Sequence, residues 1–457
     1  MGGSMGDTMK RRLVLGCYAL ALGLFLFSGA SVMRLMGGGE KDDAYQQLEM
    51  FARVLERVRR DHVDGENLSY RELVQGALKG MLSTLDPHSE FMEATKYEDL
   101  KQDTEGTYGG VGLQVQAKDG ALVVISPMED TPAFEAGILP QDRIIKIDGK
   151  TTERMNQGDA VVSLRGAPGS EVVLTVQRPG QTEARDITLK RADIRVYTAK
   201  DIDNRRAFPL GEGKVGYVRL TQFAERTAEE LEESLKLLES RGMEALVLDL
   251  RGNPGGLLDQ AVAVCEKFVE RNQLIVSTEG RSAASNTRRV ALSRGKVRRV
   301  PMAILVNGGS ASAAEIVSGC LQDLKRAVLV GEQTFGKGSV QSILPMSDGS
   351  ALRLTTAKYY TPSHRVIHEK GLAPDIEVPM TEDEEAAVQL RRLPGGKANL
   401  DDALKGFEEG RRAAIRELVE GDRDVQLERA MDLLKGVNLF GKRASAEGRT
   451  NSPSKVQ

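Results

Sequence analysis

The apolar positions change period along the chain, and each change marks a different kind of structure. Between Tyr45 and Val63, Leu48, Phe51, Leu55 and Val58 recur at three- and four-residue intervals, which predicts an amphipathic helix. A second helical stretch runs from about Leu73 to Leu85. From Tyr108 to about Lys190 the texture turns to short β-rich runs, such as Ala121 to Ile125 and Val172 to Val176, broken by Gly, Pro and Asp turns. One helix is expected there, near Gln157 to Leu164. From Val215 strands and helices alternate, with strands expected at 215–220, 245–250, 302–307 and 327–330 and helices at 228–240, 257–269 and 313–324. Such alternation predicts a layered α/β core. After Asp375 the chain becomes charged and helical, and 449–457 reads as a loose, disordered tail.

Composition narrows the function. A chain of 457 residues suggests about three domains, and a hydrophobic fraction of 40% supports real cores. The pattern divides it into a leader at 1–36, a helical region at 40–104, a β-rich domain at 105–192, an α/β core at 193–378, a helical region at 379–448 and the tail. With 63 basic against 66 acidic residues and a net charge of −3, no field exists to gather nucleic acid. Three cysteines and four histidines make neither a disulfide framework nor a spaced zinc site, so neither a metal nor another cofactor is expected. Cys265 and Cys320 both fall in amphipathic helical patterns and are expected to be buried and unpaired.

Lys10, Arg11 and Arg12 precede an uncharged run from Leu13 to Met33, the layout of a signal peptide or signal anchor, so an exported, periplasmic or extracytoplasmic chain is expected. Ser28-Gly29-Ala30 offers a cleavage site, but the run is also long enough for a hydrocarbon core of about 30 Å. The basic end would then stay in the cytoplasm. A retained single-pass anchor is the reading preferred here.

Candidate chemistry concentrates between 303 and 341. The apolar strand Ala303 to Val306 enters Asn307-Gly308-Gly309-Ser310-Ala311-Ser312-Ala313-Ala314-Glu315 and then a helix. A strand-to-helix turn of small residues can lift one hydroxyl above a sheet and leave backbone amides open to a carbonyl. Ser312 is the candidate nucleophile, and the Ala313 amide, at a helix N-terminus, a candidate oxyanion donor. Ser312-x-x-Glu315 is also a capping box, and caps far outnumber nucleophiles, so this segment alone favours the cap.

Lys337, between Gly336 and Gly338, is a better base than any histidine. Burial lowers a lysine pKa and can leave a neutral amine near pH 7. In an extended chain Gln341 would share a face with Lys337 and could orient it. Gly331-x-x-x-x-Gly336-Lys337 begins like a phosphate-binding loop, but Gly338 stands where the magnesium ligand belongs. Arg251-Gly252-Asn253-Pro254-Gly255-Gly256 follows a strand and opens a helix, so Gly255 or Gly256 could supply a second oxyanion donor.

Together, Leu85 to Ser89, Asp249 to Gly256, Ser310 to Ile316, Gly331 to Gly338 and Lys370 to Asp375 resemble the motifs of the carboxyl-terminal processing peptidases, or tail-specific proteases. The resemblance implies a crotonase-like α/β protease core with an inserted β-rich PDZ domain and helical N- and C-terminal regions. It also implies a Ser/Lys dyad, with Ser312 as nucleophile, Lys337 as general base and Gln341 orienting the lysine. The oxyanion donors would be Ala313 and one of Gly255 and Gly256. The family usually has serine where Ala314 stands, a position outside the dyad.

Gly109-Gly110-Val111-Gly112-Leu113 resembles the PDZ loop whose amides bind a terminal carboxylate, so Gly110, Val111, Gly112 and Leu113 are expected to hold the ends of unfolded or flexible protein tails. Arg165 is a candidate relay between the occupied groove and the protease core. The expected activity is therefore that of an exported serine endopeptidase needing no cofactor and cutting near protein C-termini. The alternatives are a catalytically inactive PDZ scaffold and a nucleotide-binding switch. Amphipathic flanks such as 47–60 and 402–418 could pair subunits into a homo-oligomer, or pack within one chain.

Overall fold

The computed structural model describes residues 44–450, apart from 119–120, 129–130, 140, 154, 156, 180–182, 293–294, 393–396, 398–399 and 405–406. The expected leader at 1–36 and residues 451–457 lie outside the described residues. Two compact units divide the chain after Met81. The first carries helix α1 (Ala44–Asp61), whose apolar stripe remains exposed, and the start of α2 (Tyr70–Ser83). A capping box opens α2, since the Ser69 hydroxyl accepts from the Glu72 amide at 3.1 Å and the Glu72 carboxylate accepts from the Ser69 amide at 3.0 Å.

The second unit begins with a short strand, β1 (Glu90–Met92), and helix α3 (Ala94–Glu105). The period does not reveal α3, because ATKYEDLKQDTE carries almost no apolar stripe. Gly106 ends it at φ 70°, a conformation that favours glycine, donating to the Gln102 carbonyl at 3.0 Å. A small β domain follows, with β2 (Leu113–Lys118), β3 (Ala121–Pro127), β4 (Arg143–Ile147), α4 (Gln157–Leu164), β5 (Glu171–Gln177) and β6 (Ala184–Lys190). Its strands pair antiparallel in the order β2-β3-β4-β5-β6. Val172, Leu174 and Val176 alternate into its core, where Ala160 and Leu164 of α4 join them.

The core contains β7 (Ala199–Lys200), β8 (Val215–Leu220), α5 (Thr227–Ser240), β9 (Ala245–Asp249), α6 (Leu258–Cys265), β10 (Leu274–Gly280), β11 (Thr287–Val290), β12 (Met302–Val306), α7 (Ala313–Asp323), β13 (Val328–Gly331), β14 (Ser339–Pro345), β15 (Ala351–Tyr360) and β16 (Ile376–Glu377). The main sheet runs β7-β8-β9-β12-β13-β16 and is parallel from β8 onward. Its central strands are buried on both faces, which explains their unbroken apolar runs. Leu246, Leu248, Ile304 and Val306 face α5, α6 and α7, while Ala245, Val247, Ala303 and Leu305 face the opposite side. Ala430 and Leu434 of the C-terminal helix cover that side.

A second, antiparallel sheet places β15 between β1, β10 and β14. The C-terminal region contains α8 (Glu382–Arg392), α9 (Glu409–Glu420) and α10 (Val425–Thr450). The molecule thus has a layered α/β core with an inserted β domain and helical ends. Two expectations need correction. Helix α6 stops at Cys265, where turns replace it, and α10 continues through the first two residues assigned to the loose tail. Cys265 and Cys320 are buried and unpaired. Among the described residues no helix is long and apolar enough to cross a membrane.

Candidate active site

Three turns leave the C-terminal ends of adjacent parallel strands and converge, the place where open α/β sheets form their sites. The first, after β12, carries Ser312. Ser310 shapes it from inside, its hydroxyl donating to the Leu250 carbonyl at 2.8 Å and accepting from the Asn307 amide at 3.0 Å. Ser312 itself stands at φ 56°, a strained conformation for a non-glycine residue. The second turn follows β9. The Ala311 amide donates to the Asn253 carbonyl at 2.9 Å, tying the two turns together. A Cβ on Gly255 would stand 2.6 Å from Ser312 Cβ, so only glycine permits this approach.

The oxyanion alternatives separate here. The Gly255 amide donates to Asn253 Oδ1 at 2.9 Å, whereas the amides of Gly256 and Ala313 have no acceptor among the described residues. The turn is anchored from below by a buried ion cluster. Arg251 pairs with Asp249 at 2.7 Å and with Asp424 at 2.8 Å, while Arg392 pairs with the same Asp249 at 2.6 Å. The Tyr217 hydroxyl adds a donor to Asp249 at 2.7 Å. Despite burial, the cations hold both carboxyls below the usual aspartate range.

The third turn follows β13 and presents Lys337. Glu315, fully buried on α7, accepts from the amides of Ser312 and Lys337 at 2.9 Å each. It also accepts from the Gly336 amide at 2.8 Å and the Thr334 hydroxyl at 2.5 Å. The capping reading and the catalytic one are therefore compatible, because one carboxylate caps the helix and sets both turns. Burial pushes the Lys337 ammonium below the usual lysine pKa, and the nearby Arg353 cation adds to the shift. The Lys337 amine makes no hydrogen bond or ion pair among the described residues.

The serine hydroxyl is not bonded to that amine. It lies 2.8 Å from the hydroxyl of Tyr359 on β15, a contact that no sequence motif signalled. Gln341 also has another partner, its amide donating to Ser339 Oγ at 2.8 Å. The alternation that would align it with Lys337 does not hold, since Lys337 precedes β14 and the register shifts between Val340 and Gln341.

The turn at Leu85 to Ser89 is pinned to β15 as well. Asp86 accepts from the His88 and Ser89 amides at 2.8 and 2.9 Å and from the Thr355 hydroxyl at 3.1 Å. His88, within the same Leu85 to Ser89 turn, thereby comes within the field of Lys337. Burial first, and then that lysine, hold its pKa below the ordinary histidine value.

In the β domain, Gly110 closes a short ladder opposite Ala192, Val111 is buried, and Gly112 stands at φ 76° with its carbonyl accepting from the Met128 amide at 2.8 Å. The amides of Val111 and Gly112 have no acceptor among the described residues. Leu113 starts β2, beside α4. Arg165, just after α4, reaches Asp99 at 3.5 Å and Gln102 at 3.4 Å on α3, with its guanidinium over the Tyr108 ring. Among the described residues, no backbone or side-chain hydrogen bond joins 110–113 or 165 to the turns that carry Ser312 and Lys337.

Comparison with known proteins fits this architecture. Residues 214–378 match the model of peptidase family S41, and residues 109–189 match that of the PDZ domain. A carboxy-terminal-processing protease of Bartonella bacilliformis is 40% identical over 422 residues, covering 91% of this chain and 94% of that protein. A carboxy-terminal processing protease of Bacillus subtilis is 34% identical, covering 80% and 75%. Among solved structures, a photosystem II D1 C-terminal processing protease is 29% identical and covers 75% of this chain and 97% of its own, with a TM-score of 0.41. The two family models and the two curated relatives define a serine-type peptidase carrying a PDZ domain. The chain belongs to peptidase family S41, among the carboxy-terminal processing proteases.

Proposed function

We propose that this protein is an exported endopeptidase that grips the free C-terminus of an unfolded or flexible protein and cuts nearby with a Ser/Lys dyad. Ser312 attacks the carbonyl, and Lys337 takes its proton and later returns it to the leaving amine. The observation that carries this reading is the single Glu315 carboxylate holding the backbone amides of both Ser312 and Lys337 at 2.9 Å. Burial lowers the Lys337 pKa, toward the neutral amine that a base requires. The Ala313 and Gly256 amides are the oxyanion donors favoured by their lack of another acceptor, with Gly255 supplying the close approach.

The Gly110 to Leu113 segment receives the terminal carboxylate, and β2 pairs with the extended tail. Arg165 supports communication through α3 and β1 to β15, because α3 follows β1 directly and β1 pairs with β15. Gln341 acts on Lys337 only after releasing Ser339. The basic and apolar leader supports export, by cleavage or by retention as an anchor, and the exposed apolar stripe of α1 supports self-association.

The test uses an unfolded protein with a small apolar C-terminus. The wild-type chain should cleave it, whereas Ser312→Ala and Lys337→Ala should not, although both should still bind its terminal peptide. Amidation of that terminus should weaken binding. Binding without any cleavage by the wild type would instead make the chain a scaffold.

A further inference from the structure

We propose that Tyr359 is a catalytic residue, whose phenol donates a hydrogen bond to Ser312 Oγ and stabilises the charge that develops there as the serine loses its proton. The inference rests on Ser312 being the nucleophile. The two hydroxyl oxygens are 2.8 Å apart, and Tyr359 is 3% exposed, so its phenol is shielded from water. Its backbone amide donates to the Gly338 carbonyl at 3.0 Å. Gly338 directly follows Lys337, so the same residue is fastened to the base-bearing turn by its backbone and to the nucleophile by its side chain.

The direction of the bond follows from proton bookkeeping. Each hydroxyl has one proton to give and can also accept. If Ser312 gave its proton to Tyr359, nothing would remain for a base, and Tyr359 would be a latch. If Tyr359 donates, the serine proton is left free for transfer to Lys337. Burial raises the phenol's pKa, so it keeps its proton throughout and serves as a donor rather than a base.

In acylation, the serine proton passes to the Lys337 lone pair while an Oγ lone pair forms the bond to the carbonyl carbon. The carbonyl π pair moves onto its oxygen. On collapse, the C–N bond breaks, and the leaving amine takes the proton from Lys337. In deacylation, water attacks and gives its proton to Lys337. The C–Oγ bond then breaks, and Oγ recovers a proton from the lysine. The Tyr359 donor lowers the energy of Oγ whenever it carries negative charge, on formation and on departure.

The experiment measures the second-order rate at which a fluorophosphonate probe labels Ser312 in the full chain, together with kcat and KM for an unfolded substrate. Tyr359→Phe should lower the labelling rate and kcat by about 10- to 100-fold, the effect of losing one hydrogen bond to a charged group, with KM unchanged. Tyr359→3-fluorotyrosine, which preserves shape and strengthens the donor, should label faster than the wild type. It decides the matter if the phenylalanine variant does not fold. Labelling and turnover at wild-type rates, or faster, in Tyr359→Phe would overturn the proposal. So would an unchanged rate in the fluorinated variant. A wild-type chain in which the probe does not label Ser312 at all would remove the nucleophile reading and this proposal with it, whereas labelled wild type and unaffected variants would reject Tyr359 alone.

Discussion

Glu315 Oε2 accepts from the backbone amides of both Ser312 and Lys337, at 2.9 Å in each case. One buried side chain thus sets the separation of two turns that are far apart in sequence. Glu315→Gln retains the volume but turns an NH2 group toward donors that need an acceptor. It should destabilise the fold by about 1–3 kcal/mol for each amide left unsatisfied and lower kcat more than it raises KM. Chemical denaturation and steady-state kinetics on an unfolded substrate check both parts.

The base assignment predicts a pH profile. With the Lys337 pKa held below the ordinary value of about 10.4, kcat/KM should rise with pH and level off below that value. The active form is the neutral amine, so activity is lost as pH falls through the folded pKa. Lys337→Arg, which keeps a charge at every accessible pH, should show no plateau and no measurable turnover up to about pH 10.

Asp424 tests whether the C-terminal region supports the turn after β9 that carries Gly255 and Gly256. Asp424→Ala leaves the buried Arg251 with one of its two carboxylates and should cost about 3–5 kcal/mol of stability. Asp249 and Asp424 have folded pKa values below those of the unfolded chain, so their contribution is fully present above an unfolded value of about 3.9 and is lost as pH falls further. Asp424→Asn should therefore show a shallower loss of stability below about pH 4, read from urea midpoints across pH.

Gly255→Ala should separate catalysis from tail binding. Its Cβ would lie 2.6 Å from Ser312 Cβ and 2.8 Å from the Ala311 carbonyl, at a φ of +99°. The turn that carries Ser312 must shift, and kcat should fall by about 100-fold or more, the scale of losing an oxyanion contact. Peptide affinity of the PDZ domain, measured by fluorescence anisotropy, should not change.

Much of the fold is legible because burial on both faces writes long apolar runs at 245–249 and 302–306, and because Gly-rich turns mark the strand ends. The antiparallel sheet around β15 is harder to read, since its strands alternate partly exposed residues and pair across long separations. The polar helix α3 left no period at all. Within the site, Ser312, Lys337 and the Gly255-Gly256 pair stand out through the small residues around them. Tyr359 does not, because a tyrosine in a β-run looks like any strand aromatic.

The local sequence determined the turns themselves: which residues are small enough to let backbones approach, where a helix starts, and which lysine is flanked by glycine. Tertiary structure alone decided their company. It brought Tyr359 to the serine, gave Glu315 two turns instead of one, and set Asp424 beneath Arg251, because contacts between residues distant in the chain depend on how strands pair and stack, and no local pattern encodes that.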